Sequence, residues 1–179
     1  GVRLGDGSEI PADIVVVGIG AAPDTGLAAA CGLALENGVA VDATLASSDP
    51  DIFAAGDCCA FEHPRYGRRV RLESWRSAQE QGGLAARNML GHGETLATVP
   101  WFWSDQYDQM LQTAGLPTTA VTEVVRERAD GSLIHFGLDA GGRLVAATSL
   151  GRGPVVAKDI RIAEQLIATH ATPDPAALA

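Results

Sequence analysis

The sequence predicts an α/β segment with parallel-sheet character, followed by a separate α+β domain in which an antiparallel sheet of about five strands is packed with a C-terminal helix. Three observations carry that prediction. Ile14-Val15-Val16-Val17 is a β-branched run without polar alternation, the pattern of a strand buried on both faces as parallel strands are. Residues 91–98 read as a linker, after which short apolar stretches recur between turn-forming residues. Residues 154–169 then place Val155, Ile160, Ile162, Ala163, Leu166 and Ile167 at helical spacing behind Pro154.

Composition bounds the function classes. Among 179 residues, 13 basic side chains face 22 acidic ones, a net charge of −9, which argues against a nucleic-acid or membrane-surface binder because both need a basic footprint. The three cysteines include no Cys-x-x-Cys, and the four histidines lack metal-ligand spacing, so neither a metal nor a structural disulfide is expected. No secretory leader opens the sequence, and no apolar run approaches the ~18 residues of a membrane span, so a reducing cytoplasm is the expected compartment.

In chain order, residues 1–10 form a hairpin around Gly5-Asp6-Gly7-Ser8. A strand over 12–18 ends in Gly18-Ile19-Gly20. This is not a dinucleotide fingerprint: Pro23 stands where that motif needs Gly or Ala to pack its helix, and no acidic residue ends a second strand at the usual distance. Asp24 or Thr25 caps a short helix through Cys31, Gly32 stops it, and residues 39–42 form a further strand. Ser47-Ser48-Asp49-Pro50-Asp51 supplies turn formers, and Ile52-Phe53-Ala54-Ala55 is an apolar run fit for a buried strand. That run delivers Gly56, where backbone can approach a ligand, and then the Asp57 carboxylate.

Cys58 and Cys59 read as small packing residues without a redox role, since neighbouring cysteines bridge only through a strained ring. Arg65, Arg68, Arg69, Arg71 and Arg76 then gather five of the 13 basic residues in a short loop. A charge run is usually a solvated face, but a lone basic island in an acidic chain is also a candidate docking patch for an acidic partner. Ser74 caps a helix to about Leu90 with Ala78, Leu84, Ala85 and Met89 inward. Such a start offers unpaired N–H groups and a partial positive charge.

Beyond the linker, residues 101–107 hold four of the nine aromatic side chains, a density more often found in cores than at ligands. Strands are predicted at 110–114, 120–126, 133–138 and 144–150, with Ala129-Asp130-Gly131-Ser132 and Ala140-Gly141-Gly142 as hairpin turns. The Ala- and Pro-rich tail is expected to fray.

Four ordered stretches carry a family resemblance: Gly18-Ile19-Gly20-Ala21-Ala22-Pro23-Asp24-Thr25, the run from Ser47 to Asp57, Glu73-Ser74-Trp75 with Ala78 and Gln81-Gly82, and Val99-Pro100-Trp101-Phe102-Trp103-Ser104-Asp105-Gln106-Tyr107. Together they resemble the ferredoxin, rubredoxin and putidaredoxin reductases of the pyridine nucleotide-disulfide oxidoreductase superfamily, in their C-terminal portion. The resemblance implies that residues 1–17 end an NAD-binding domain, 18–97 are a remnant of the FAD-binding domain, and 98–179 form the reductase C-terminal domain. It implies FAD held through Gly20, Pro23, Gly56, Asp57, Glu73, Ser74, Trp75 and Trp103, with Asp57 bonding a ribityl hydroxyl. NADH or NADPH is the implied donor and a ferredoxin or rubredoxin-type carrier the implied acceptor.

Two alternatives stand beside this reading. An NADH oxidase on the same scaffold would use an N-terminal redox cysteine and lacks the Trp-Phe-Trp-Ser-Asp-Gln stretch. A non-catalytic docking or dimerisation module fits a chain without a Gly-x-Gly-x-x-Gly unit, and for the same reason the isolated 179 residues are not expected to turn over or hold stoichiometric flavin. The reductase reading also implies that thiols are dispensable. Replacing Cys31, Cys58 and Cys59 together by Ser in the full-length enzyme should leave NAD(P)H-to-ferredoxin activity within a few-fold, and a collapse with FAD still bound would restore a thiol step.

Overall fold

The computed structural model describes residues 1–152 and 155–179. Two hydrophobic cores organise them, and the chain passes from one to the other between Leu96, which belongs to the first, and Val99, which belongs to the second.

The predicted hairpin forms, with β1 (Val2–Arg3) antiparallel to β2 (Glu9–Ile10). The strand predicted over 12–18 does not. Ile14, Val15, Val16 and Val17 are 83, 46, 91 and 70% exposed and lack regular structure. A β-branched run becomes a doubly buried strand only when strands flank both its edges, and the described residues supply none. Helix α1 (Gly26–Ala30) follows, with Asp24 Oδ1 accepting the Gly26 N–H at 3.1 Å.

The first core is built on β3 (Val39–Val41), β4 (Cys59–His63) and β5 (Arg68–Val70). β3 and β4 pair in parallel, and β5 returns antiparallel. The strand predicted at Ile52-Phe53-Ala54-Ala55 shrinks to one bridge between Ala46 and Phe53, and Ile52 is exposed. The loop satisfies its backbone internally instead, through Ser47 N–H to Ile52 O at 2.9 Å and Ala54 N–H to Leu45 O at 3.2 Å. Phe53, Ala54 and Ala55 still pack on the core. The basic island, predicted as a loop, contains strand β5.

Helix α2 (Trp75–Met89) starts where the sequence places it, with Ser74 Oγ accepting the Ser77 N–H at 3.3 Å. Its inward stripe differs from the predicted one: Ser77, Gln81, Leu84, Ala85 and Asn88 are buried, Ala78 is half-buried and Met89 is 61% exposed. Polar side chains occupy the stripe because they bond to what surrounds them. Asn88 Nδ2 donates to the Thr44 and Glu94 carbonyls at 2.7 and 2.8 Å, which ties down the predicted linker.

The second core lies under β6 (Trp101–Gln106), β7 (Gln109–Gly115), β8 (Thr122–Glu127), β9 (Leu133–Leu138) and β10 (Leu144–Arg152). They form one antiparallel sheet in the order β6-β7-β10-β9-β8. β7 ends at Gly115, φ 80, where an added Cβ would meet Val145 O at 2.1 Å, so only glycine fits. Helix α3 (Val155–Ala168) buries Val156, Ile160, Ala163 and Ile167, and Ile162 from the predicted apolar set is 48% exposed. Pro154 and the Val155 side chain from that set lie outside the described residues. The tail does not fray. Asp174 caps α4 (Pro175–Leu178), its Oδ1 accepting the Ala176 N–H at 3.0 Å, and Leu178 enters the second core. Among the described residues no helix is long and apolar enough to cross a membrane.

The end of β4 joins the two cores. His63 is buried, its Nε2 3.0 Å from Thr98 O and its Nδ1 3.3 Å from the Arg65 N–H. One partner is an acceptor and the other a donor, which assigns the neutral Nε2–H tautomer. Burial pushes the imidazole pKa down to about 4, with the Arg65 charge adding to the effect against the Thr98 bond. The unfolded chain then takes up a proton that the folded one refuses between about pH 6.5 and pH 4, so stability present above that window declines as pH falls through it. Urea titrations should show His63→Gln less stable at neutral pH, with a shallower decline between pH 6.5 and 4. Identical slopes would exclude His63 as a source of acid lability.

Candidate functional site

Asp57 leaves the first core immediately before β4. Gly56 adopts φ 84, in the left-handed region, and a Cβ there would lie 3.7 Å from the Ala78 Cβ of α2. Its N–H donates to Gln81 Oε1 at 2.7 Å, so the turn is held against α2 and the Asp57 side chain is left exposed. Arg71 bridges the two elements. Its Nη1 donates to the Asp57 carbonyl at 3.3 Å and pairs with the Glu73 carboxylate, one residue before the Ser74 cap.

The start of α2 therefore opens beside Asp57, its first N–H groups without intrahelical partners. A cavity of about 230 Å³ lies next to it, lined by Glu73, Ser74, Trp101, Phe102, Thr113 and Leu116. Trp75 meets Trp103 edge-on with ring centroids 6.5 Å apart, and Trp103 stacks on Trp101 at 5.2 Å. Chemically, the face offers a carboxylate for hydroxyl donors, a helix start for partial negative charge and aromatic walls for a flat ring. A larger groove of about 350 Å³ on the uncovered face of the second sheet, lined by Leu111, His135, Thr148 and Leu150 among others, contains none of the predicted residues.

The structure thus gathers Gly56, Asp57, Glu73 and Ser74 on one face, with Trp75 and Trp103 in mutual contact beside it. Gly20 (φ 92) and Pro23 lie in a segment without regular structure before α1. Sequence reasoning quoted Gln81 within the Glu73–Gly82 stretch but gave it no role at the site. The further signal was its place one helical turn after Ser77, on the stripe facing the core.

Four of the five arginines are engaged within the chain. Arg65 Nη1 donates to the Ile167 and Ala168 carbonyls at the end of α3 at 2.9 and 3.1 Å, and its Nη2 reaches Ala97 O at 3.3 Å. Arg69 Nη1 donates to Val41 O and Ala60 O at 2.7 and 2.8 Å and pairs with Glu36. Arg76 bonds Glu80 and Glu164 at 2.9 and 2.6 Å and lies 5.7 Å from the Trp101 ring centroid. Arg68 is exposed.

All three cysteines are free thiols. Cys59 Sγ donates to Gln81 Oε1 at 3.0 Å, and burial pushes its pKa up to about 12, so it stays protonated at neutral pH.

An α/β unit whose Gly56-Asp57 turn and helix start converge on one open face is joined to an antiparallel α+β unit beside it. Residues 1–82 match the model of the pyridine nucleotide-disulphide oxidoreductases, and residues 101–179 match that of the reductase C-terminal domain. The chain belongs to the pyridine nucleotide-disulphide oxidoreductase family, in the branch with the reductase C-terminal domain. It is 46% identical over 175 residues to the ferredoxin–NAD(+) reductase component of the anthranilate 1,2-dioxygenase system of Burkholderia cepacia, covering 97% of this chain and 42% of that protein. Rhodocoxin reductase of Rhodococcus erythropolis is 40% identical, with 99% of this chain and 41% of that one covered. The crystal structure of a ferredoxin reductase from Rhodopseudomonas palustris superposes with a TM-score of 0.87 at 37% identity, over 97% of this chain and 42% of that one. The chain thus spans about two fifths of the length of these relatives.

The arginine contacts separate brace from surface. Arg65→Ala removes charged hydrogen bonds that join the end of α3 to the linker, and should lower unfolding free energy by about 1.5–3 kcal/mol. Arg68→Ala should change it by less than about 0.5 kcal/mol. Equal effects in chemical denaturation would contradict this division.

Proposed function

We propose that this chain is the cofactor-facing and C-terminal part of an FAD-dependent NAD(P)H:ferredoxin reductase. The observation that carries the reading is the convergence of the exposed Asp57 carboxylate, the Arg71–Glu73 pair and the capped start of α2 on one face. The reductases to which the chain is similar support it. Residues 1–17 then end an NAD-binding domain, 18–97 belong to the FAD-binding domain and 98–179 form the domain beside it, in agreement with the change of core between Leu96 and Val99.

Bound FAD supplies the redox chemistry, accepting hydride from NADH or NADPH and releasing electrons singly to an iron–sulfur ferredoxin or rubredoxin-type carrier. The residues of this chain bind and orient. Asp57 accepts hydrogen bonds from ribityl hydroxyls, and the left-handed turn at Gly56 fits the backbone close to the ligand. The start of α2, held by Ser74, stabilises negative charge at the flavin edge, while Arg71 offsets the Glu73 carboxylate that would otherwise weaken that field. Trp75 and Trp103 exclude water from the ring. Gly20 and Pro23 shape the segment that enters the FAD-binding domain. Of the basic island, Arg68 is the side chain free to meet an acidic carrier, and Arg65, bonded to carbonyls, keeps its charge uncompensated, whereas glutamates offset Arg69, Arg71 and Arg76. Three free thiols suit a reducing cytoplasm.

The test uses the full-length protein. Purified wild type should carry FAD near one per chain, and Asp57→Ala, which removes a charge-assisted hydrogen bond, should weaken FAD binding about ten- to a hundredfold. A wild type without flavin, or an Asp57→Ala variant with unchanged occupancy and dissociation constant, would overturn the assignment.

A further inference from the structure

Gln81 is fully buried in the first core, beside Leu84 and Ala85 of its own helix. Its polar bonds run to the face just described. Oε1 accepts from the Gly56 N–H at 2.7 Å and from the Cys59 thiol at 3.0 Å, and Nε2 donates to Ser77 Oγ at 2.8 Å. Two donors on one side and an acceptor on the other fix which way the amide points. Ser77 is also the residue whose N–H the Ser74 cap accepts, so a continuous series of bonds leads from the Gly56 turn to the start of α2.

An apolar side chain would fill this space without the cost of burying an amide, so packing alone gives no reason for glutamine. Gly56 supplies the reason. At φ 84 it uses a conformation glycine reaches easily, but glycine reaches many others as easily, and something must select this one. The bond to Gln81 holds the Gly56 N–H, and the Gly56 peptide sets the direction in which Asp57 leaves the core.

We infer that Gln81 is a positioning residue of the cofactor site: by holding the Gly56 N–H it aims the Asp57 carboxylate alongside the start of α2, where the ribityl chain and flavin edge bind. This rests on the FAD reading above. Gln81 touches no cofactor atom; it acts through Gly56.

The experiment compares Gln81→Met, of similar size without the amide, with Gln81→Glu, which keeps an acceptor for Gly56, in the full-length protein. Leu84→Ala serves as a control that weakens the same helix without touching the bond. Amide hydrogen exchange at Gly56, the FAD dissociation constant and thermal stability are read for each. Gln81→Met should accelerate Gly56 exchange beyond what its stability loss explains and raise the FAD dissociation constant about tenfold, Gln81→Glu should recover most of both, and Leu84→Ala should leave the constant within about twofold. Should Gln81→Met fail to fold, Ser77→Ala, which releases only Nε2, should shift both readouts the same way by less. Unchanged Gly56 exchange, or equal FAD loss in Gln81→Met and Leu84→Ala at matched stability, overturns the inference. A wild type without FAD refutes the proposed function instead, and the exchange comparison alone then decides whether Gln81 holds Gly56.

Discussion

The architecture depends on one strand end. β4 finishes in His63, and within four residues the chain bonds to the linker through His63 and to two elements of the second domain: Arg65 takes the carbonyls that end α3, and Tyr66 reaches the Val145 carbonyl of β10 at 3.5 Å. These groups are polar and bond to backbone beyond the first core, so separating the domains would exchange several protein hydrogen bonds for bonds to water at once. The same strand begins two residues after Asp57. The element that fixes the two cores to each other is therefore also the one that places the carboxylate, and the Trp101–Trp103 stack is held near α2 because both cores hang from it.

That coupling changes the meaning of the arginines. Their clustering in an acidic chain suggested a solvated patch, yet guanidinium groups with several donors in a planar fork suit the capping of carbonyls as well as the attraction of anions. Arg65 at a helix end, Arg69 between two strands and Arg76 between α2 and α3 are used in the first way. Clustering in sequence reports proximity, and only the contacts say what the charge does.

The second domain was largely legible because its strands are antiparallel and local: alternation and turn residues set its hairpins, and β9 falls where the pattern puts it. The helix cap at Ser74 and the Gly56-Asp57 turn were legible for the same reason, being set by residues a few positions apart. Failures came where the outcome depends on distant partners. Ile14-Val15-Val16-Val17 has strand chemistry without strand neighbours, Met89 lost its inward place to Asn88 and Gln81, and the tail is ordered because Leu178 finds the second core. Gln81 stood in one of the stretches that carry the resemblance, but nothing in the sequence showed that its amide would be buried against the Gly56 N–H.

The bare run at 14–17 also has a practical side. Four consecutive β-branched side chains, unpaired on both edges and with a single charge before them at Asp13, form a segment whose backbone groups can bond to the same segment of another molecule. Exposed strand-forming backbone of this kind favours self-association, so covering these four residues bears on the solubility of the isolated chain as well as on its fold.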